Sequence, residues 1–133
     1  VHAMMAFVGT GNRVAQQRQI SAAKRAAAGT GIVAMMSREI GVPGCEGFAA
    51  FGRGDYAQAI DWLLPLRGKA NRFGGSHAQR DVISWTLTEA AIRLGDSALA
   101  EAFVAERLSW KPRSPVNLDW AVRAARLKPA PAP

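Results

Sequence analysis

Two short segments of this chain share one pattern, which constrains the fold more than any other feature of the sequence. Gly54–Ala59 and Gly95–Ala100 both have the form Gly-Asp-x-Ala-x-Ala, and apolar residues recur at helical spacing on either side of each. The glycine lets the chain reverse after a helix, and the aspartate is a natural N-cap for the next one. The closing alanine is small enough to let two helices approach closely. The pattern therefore predicts two helical hairpins.

Several positions around these turns fit a tetratricopeptide-type helix–turn–helix unit. Gly47 stands where such a unit has a small residue between its helices, and Leu63 and Val104 stand where it has a large apolar one. The two glycines, Gly54 and Gly95, are 41 positions apart, whereas the tetratricopeptide period is about 34 residues. We therefore expect irregular repeats, stretched by the loop before Ser76, with the Gly11–Arg13 segment as a degenerate third turn.

The remaining pattern is helical, and no stretch alternates at period two for long enough to suggest a sheet. We predict that a break at Gly41–Gly44 interrupts one helix and that Pro65 kinks or ends another, because proline lacks an amide donor. Ser114 and Pro115 are expected to open the last helix. The predicted fold is a single all-α domain over residues 1–127, with about six or seven helices in antiparallel pairs stacked right-handed. An unrelated α-bundle is the alternative.

The two ends of the chain carry their own predictions. The Pro/Ala-rich residues 128–133 are expected to form a flexible tail. The chain begins at an apolar helix without an initiator methionine, which suggests the C-terminal part of a longer protein.

Composition narrows the classes of partner. The net charge is +7, yet most of the basic residues are arginines scattered along predicted helices, with no dense basic run. Nucleic acid is therefore not an expected partner, although a basic balance permits it. The single cysteine, Cys45, excludes an internal disulfide, and no apolar run reaches the ~20 residues of a membrane span. These features favour a cytoplasmic protein that is not inserted in a membrane.

Part of the chain also resembles a known family. The motifs are Ala50–Tyr56, Leu63–Arg67, Gly74–Asp81 and the segment from Glu106 to Pro115. Together they resemble the C-terminal region of the tetratricopeptide repeat protein 38 family, over roughly half of the chain. The resemblance implies an irregular helical-repeat protein and carries over no catalytic residue.

The segment from Arg72 to Asp81 is the strongest candidate site. Ser76 and Gln79 have the spacing of a capping box at a helix start. Arg72, His77 and Arg80 stand beside free amides there, which together are suited to a carboxylate or phosphate. The competing interpretation is structural: a rigid Gly74-Gly75 elbow whose arginine and Asp81 fix the packing of neighbouring helices.

Other constellations carry less chemistry. A Ser76/His77/Asp81 hydrolase triad is disfavoured, because consecutive residues at a helix start do not orient serine and histidine towards each other. Two histidines and one cysteine give no metal-ligand spacing, and Cys45 is expected to be an inert buried thiol. The methionines are interpreted as core residues. The four tryptophans should mostly pack between helices, and one exposed beside arginine would be a partner anchor.

We therefore expect a non-catalytic scaffold without cofactor or metal that binds a protein or peptide in its groove. The residues expected to contact the partner are Arg72, Ser76, His77, Arg80 and Arg93, with a preference for acidic or C-terminal carboxylate groups. The alternative is a small anionic ligand, or an enzyme-associated domain, with its site at the elbow of residues 74–77. A homo-oligomer remains open.

Overall fold

The three-dimensional structure is a computed structural model that describes residues 1–69, 71 and 76–127. Its α-helices are α1 (His2–Gly9), α2 (Arg13–Ala27), α3 (Gly31–Met36), α4 (Val42–Arg53), α5 (Tyr56–Leu63), α6 (His77–Leu94), α7 (Ser97–Trp110) and α8 (Pro115–Ala124). Since α3 continues into α4, these segments form seven rods, and the described part of the chain contains no strand. The predicted all-α class and helix number are confirmed. The tail at 128–133 lies outside the described residues.

The predicted break at Gly41–Gly44 is wrong. A π-helical segment, Ser37–Gly41, joins α3 directly to α4, and the amide of Val42 donates to the carbonyl of Ser37, five residues back. Pro43 lies in the first turn of α4. Proline has no N–H and its ring crowds the preceding turn, and here the wider π turn just before it lets the helix continue. The helix continues where the composition of the segment suggests a stop.

Pro65 ends its helix as predicted. After α5 the chain forms a short 3₁₀ turn, Leu64–Leu66, that places Leu66 in the core. At the other predicted boundary Ser114 is the N-cap residue and Pro115 begins α8, although the serine side chain makes no capping hydrogen bond.

The turns at Gly54 and Gly95 have the same geometry. Both glycines have φ of 81°, in the left-handed region. The amide of Asp55 donates to the carbonyl of Ala50, and that of Asp96 to the carbonyl of Ala91, which is the six-residue hydrogen bond of a Schellman motif. Each aspartate then accepts from an amide three residues ahead, at 3.2 and 3.0 Å. Both aspartates are therefore N-caps, as predicted.

The predicted third turn, at Gly11, is built in the same way. Gly11 has φ of 66°, and the amide of Asn12 donates to the carbonyl of Phe7 at 2.9 Å. The side chain of Asn12 accepts from the amide of Ala15 at 3.0 Å, in the role that aspartate has elsewhere. Three helical hairpins thus share one local design: α1 with α2, α4 with α5, and α6 with α7.

Positions at equal distances from the three turn glycines are buried in all three hairpins. Seven residues before the glycine stand Met4, Gly47 and Thr88; five after it stand Gln16, Ala59 and Ala100; nine after it stand Ile20, Leu63 and Val104. At Gly47 a Cβ would lie 2.5 Å from Cγ of Leu63, so this site needs glycine, as the sequence predicted. In the first hairpin Gln16 replaces the alanine, and its amide donates to the carbonyl of Phe7 at 3.1 Å.

The helices contact one another in chain order. The series α1, α4, α6 and α8 is in contact from each member to the next, and α2, α5 and α7 each contact the member before and the member after. One apolar core runs through all of these contacts, from Met4 to Trp120 and Ala124. None of the helices in the described ranges is long and apolar enough to cross a membrane.

Candidate functional site

A cleft of about 790 Å³ opens between the start of α6 and the end of α7. The chain just after the 3₁₀ turn, at Arg67, Gly68 and Asn71, forms a third wall. The start of α6 and the end of α7 are close because the two helices are antiparallel neighbours joined by the turn at Gly95. The charged side chains that line the cleft are Arg67, Arg80, Asp81, Glu106, Arg107 and Lys111.

Both carboxylates of the cleft are already paired. Arg67 donates to Glu106, and Arg107 donates to Asp81 through two nitrogens, at 2.8 and 3.1 Å. Four cations and two carboxylates therefore give the lining a net charge of +2 with histidine neutral. Lys111 makes no side-chain ion pair with any described residue. The cleft is thus an electropositive opening.

The structure brings two of the predicted site residues into this cleft. His77 is exposed and Arg80 half-buried, and both line it. Ser76 is exposed at the start of α6 but is not part of the lining. Arg72, Gly74 and Gly75 lie outside the described residues, as does the side chain of Gln79, so the capping box and the elbow stay predictions.

Arg93 lies elsewhere. It is sixteen residues beyond His77 on the same helix, which corresponds to about 24 Å along the axis. Its side chain donates to Glu89 at 2.6 Å and to the hydroxyl of Tyr56 at 3.3 Å. It also stacks over the rings of Phe51 and Tyr56. Arg93 therefore joins α6 to the turn at Gly54 and does not belong to a site with His77.

The floor of the cleft is held by a buried arginine. Arg107 is 4% exposed and its guanidinium lies between the rings of Trp85 and Trp120, 5.5 and 5.2 Å from their centroids. Its Nε donates to Asn117 at 3.1 Å, and Trp85 donates to Asp81 at 3.0 Å. All three guanidinium nitrogens of Arg107 therefore have a hydrogen-bond partner. These bonds hold α6, α7 and α8 against one another.

Asp81 thus has the structural role that the sequence offered as one interpretation. Hydrogen bonds from Arg107 hold the pKa of Asp81 below its ordinary value, against the opposing effect of burial. Both carboxylate oxygens of Asp81 accept hydrogen bonds from Arg107, and one also accepts from Trp85. Asp81 therefore does not orient His77 as a triad would require.

A second carboxylate on α6, Glu89, accepts hydrogen bonds from side chains of α6 and α8. It accepts from Trp120 at 2.8 Å, from Arg123 through two nitrogens at 2.8 Å, and from Arg93. Burial alone raises the pKa of Glu89, but the hydrogen bonds from Arg123, Arg93 and Trp120 lower it to about 2. This carboxylate is therefore ionised at neutral pH and committed to the helix packing.

Several residues that line the cleft were not assigned to the site from the sequence, among them Arg67, Trp110 and Lys111. Trp110 is 61% exposed, in contrast to the buried Trp120, and it lines the cleft next to Lys111. Their signal in the sequence is weak, because Lys111 stands in the Lys-Pro pair that marks a helix end. The return of α7 along α6 brings Trp110 and Lys111 to His77 and Arg80, and Arg67 comes from the segment before α6.

Other candidates behave as structural residues. Cys45 is 1% exposed, and burial raises the pKa of its thiol, which makes it a poor nucleophile as expected. The core role proposed for the methionines is confirmed for Met4, which is fully buried, and is wrong for Met35, which is 36% exposed. Within residues 1–69, 71 and 76–127 no group of three histidine, cysteine, aspartate or glutamate side chains is placed to hold a metal.

No protein-family model matches the sequence, and no solved structure matches the fold.

Proposed function

We propose that this chain is an irregular tetratricopeptide-like repeat domain that binds an acidic segment of a partner protein in the cleft between α6 and α7. The repeat interpretation is supported by the three like-built turns, by the equivalent buried positions and by the serial helix contacts. Domains of this kind expose grooves that receive peptides. On the motifs quoted above we also propose kinship with the tetratricopeptide repeat protein 38 family.

The observation that carries the binding proposal is the charge state of the cleft. Its two carboxylates are neutralised by Arg67 and Arg107, which leaves Lys111 to face an incoming anion at the rim that His77 also lines. The exposed ring of Trp110 supplies a rigid apolar anchor at the same rim. Aromatic and basic residues side by side are typical of positions that dominate the binding energy of an interface.

Fluorescence polarisation with a labelled acidic hexapeptide that has a free C-terminus tests this function. The change is Lys111→Glu, and its matched control is Arg113→Glu, an exposed arginine two residues away that does not line the cleft. We expect the first variant to weaken binding at least tenfold and the second to leave it within about twofold. Equal losses in both variants would show that net charge alone is measured, and the proposal would be wrong.

A small anionic ligand is the second candidate, favoured by the volume of the cleft. About 790 Å³ falls within the ~300–1,000 Å³ of small-molecule sites. Competition distinguishes the two. If phosphate or a dicarboxylate displaces the peptide at micromolar concentration, the site is a ligand pocket; if displacement needs tens of millimolar, the peptide is the better fit. Trp110→Ala sharpens the result, because loss of this anchor should weaken the peptide and spare a small anion.

A further inference from the structure

Helix α2 carries a second basic surface, at the opposite end of the chain from the cleft. Arg13, Arg18 and Arg25 line a shallow groove of about 570 Å³ on its exposed face, with Gln17 and Ser21 between them. We define these five residues as the α2 basic face. The sequence distributes the arginines at uneven intervals, and only the helix gathers them.

The three arginines are available for an external anion. None makes a side-chain hydrogen bond or ion pair with a residue in the described part of the chain, and all three are exposed. No aspartate or glutamate occurs within α2, and its remaining cation, Lys24, is engaged by Glu46 at 2.7 Å. This face therefore has an unbalanced positive charge.

The chemistry of the face favours a phosphate backbone over a protein. The core of a protein interface is apolar and rich in aromatic residues, whereas the groove contains one exposed aliphatic side chain, Val14, and no aromatic ring. Nucleic-acid interfaces are polar and strongly positive, and most of their hydrogen bonds go to phosphate from arginine, glutamine and serine. The composition of the groove matches that of a nucleic-acid interface.

The lack of aromatic residues also selects between forms of nucleic acid. Binding of single strands relies on bases stacking on aromatic rings, and the α2 basic face has none. A duplex presents its phosphates without that requirement, at about one charge per 1.7 Å of axis. Arg13 and Arg25 are separated by about 18 Å along α2, which is enough to meet several phosphates at once.

We propose that the α2 basic face binds the phosphate backbone of duplex nucleic acid without sequence preference. This inference does not rest on the function proposed for the cleft, because the two surfaces share no residue. It also departs from the expectation that scattered arginines argue against nucleic acid, since helical geometry collects three of them.

Fluorescence anisotropy with a labelled 20-base-pair duplex tests the proposal. Three phosphate contacts predict a slope of log affinity against log salt of about −2.7, or a loss of about 40-fold between 50 and 200 mM salt. The variant Arg13→Gln/Arg18→Gln/Arg25→Gln should weaken binding at 50 mM salt at least tenfold and flatten the slope. Replacing the same three residues by lysine should preserve the slope.

The control removes three exposed arginines that line neither the α2 basic face nor the cleft, in the variant Arg53→Gln/Arg113→Gln/Arg126→Gln. Both variants lose the same charge, so equal weakening would overturn the proposal by showing a general effect of net charge. Tighter binding of a single strand than of the duplex, or displacement of the duplex by equimolar polyglutamate, would overturn it as well. Circular dichroism melting of both variants separates loss of binding from loss of fold.

Discussion

Arg107 and the arginines of α2 are the same residue type in two opposite situations. Arg107 is 4% exposed, lies between two indole rings and donates two hydrogen bonds to Asp81. Arg13, Arg18 and Arg25 are exposed and have no acidic partner in the described part of the chain. The difference teaches that positive charge in this protein has two uses. Paired and buried, it holds helices together; unpaired and exposed, it is available to a ligand.

The largest expected effect is at the buried member of this comparison. Arg107→Ala removes the guanidinium that pairs with Asp81 and donates to Asn117, and it opens a gap between Trp85 and Trp120. Because Arg107 is buried and Asp81 is partly exposed, we expect a cost of about 3 kcal/mol, the lower end of the range for buried pairs. Urea unfolding monitored by circular dichroism would measure the loss of free energy of unfolding. The paired substitution Arg107→Met/Asp81→Leu should recover part of it, because no unpaired charge then remains. A cost below 1 kcal/mol for Arg107→Ala would show that the buried Arg107 contributes no more to stability than an exposed arginine.

An intermediate effect is expected at Glu89, whose partners are partly exposed. Glu89→Gln removes the charge that Arg123 and Arg93 share, at an expected cost of about 1–3 kcal/mol at pH 7. The folded pKa of Glu89, about 2, lies below its ordinary value of 4.5. Its contribution is therefore present above pH 4.5 and is lost as the pH falls towards 2.

Thermal melting across pH 7 to pH 2 measures that window. The natural chain should lose stability more steeply than the Glu89→Gln variant below pH 4.5, and the two curves should converge near pH 2. Parallel curves would mean that Glu89 has the same pKa in the folded and unfolded chain, contrary to its hydrogen bonds.

The smallest effect is expected on α2. Arg18→Gln removes an exposed side chain with no ion pair in the described residues, so the free energy of unfolding should stay within about 0.5 kcal/mol. The same denaturation assay applies, with Arg107→Ala as the reference. A destabilisation above 1 kcal/mol would show that Arg18 has a structural partner, and the α2 basic face would lose one of its available charges.

Local sequence predicted much of the fold, because its strongest signals act over a few residues. The Gly-Asp pairs at Gly54 and Gly95 contain both the left-handed C-terminal residue and the N-cap. The third turn was predicted from Gly11 and Asn12 with less pattern to support it, and it has the same hydrogen bonds. The break predicted at Pro43 is wrong because the π-helical turn before it lets the helix continue. No short sequence pattern indicates such a turn.

The candidate site was predicted only in part. His77 and Arg80 were assigned to it because they stand together at one helix start, and both line the cleft. Arg93 was assigned only as a basic residue of the expected groove, and the structure places it with Glu89 and Tyr56. Arg67, Trp110 and Lys111 were missed, because they come from segments that meet His77 only after the chain folds back.

The sequence by itself determined the helices, their turns and the small residues that let them pack, since each depends on neighbours within one or two turns. The tertiary structure alone decided which charged side chains form ion pairs within the protein. Asp81 and Arg107 lie 26 positions apart, and nothing local marks them as partners. Whether a given arginine is buried between tryptophans or faces solvent on α2 depends on which helices pack beside it, and that is a property of the assembled fold.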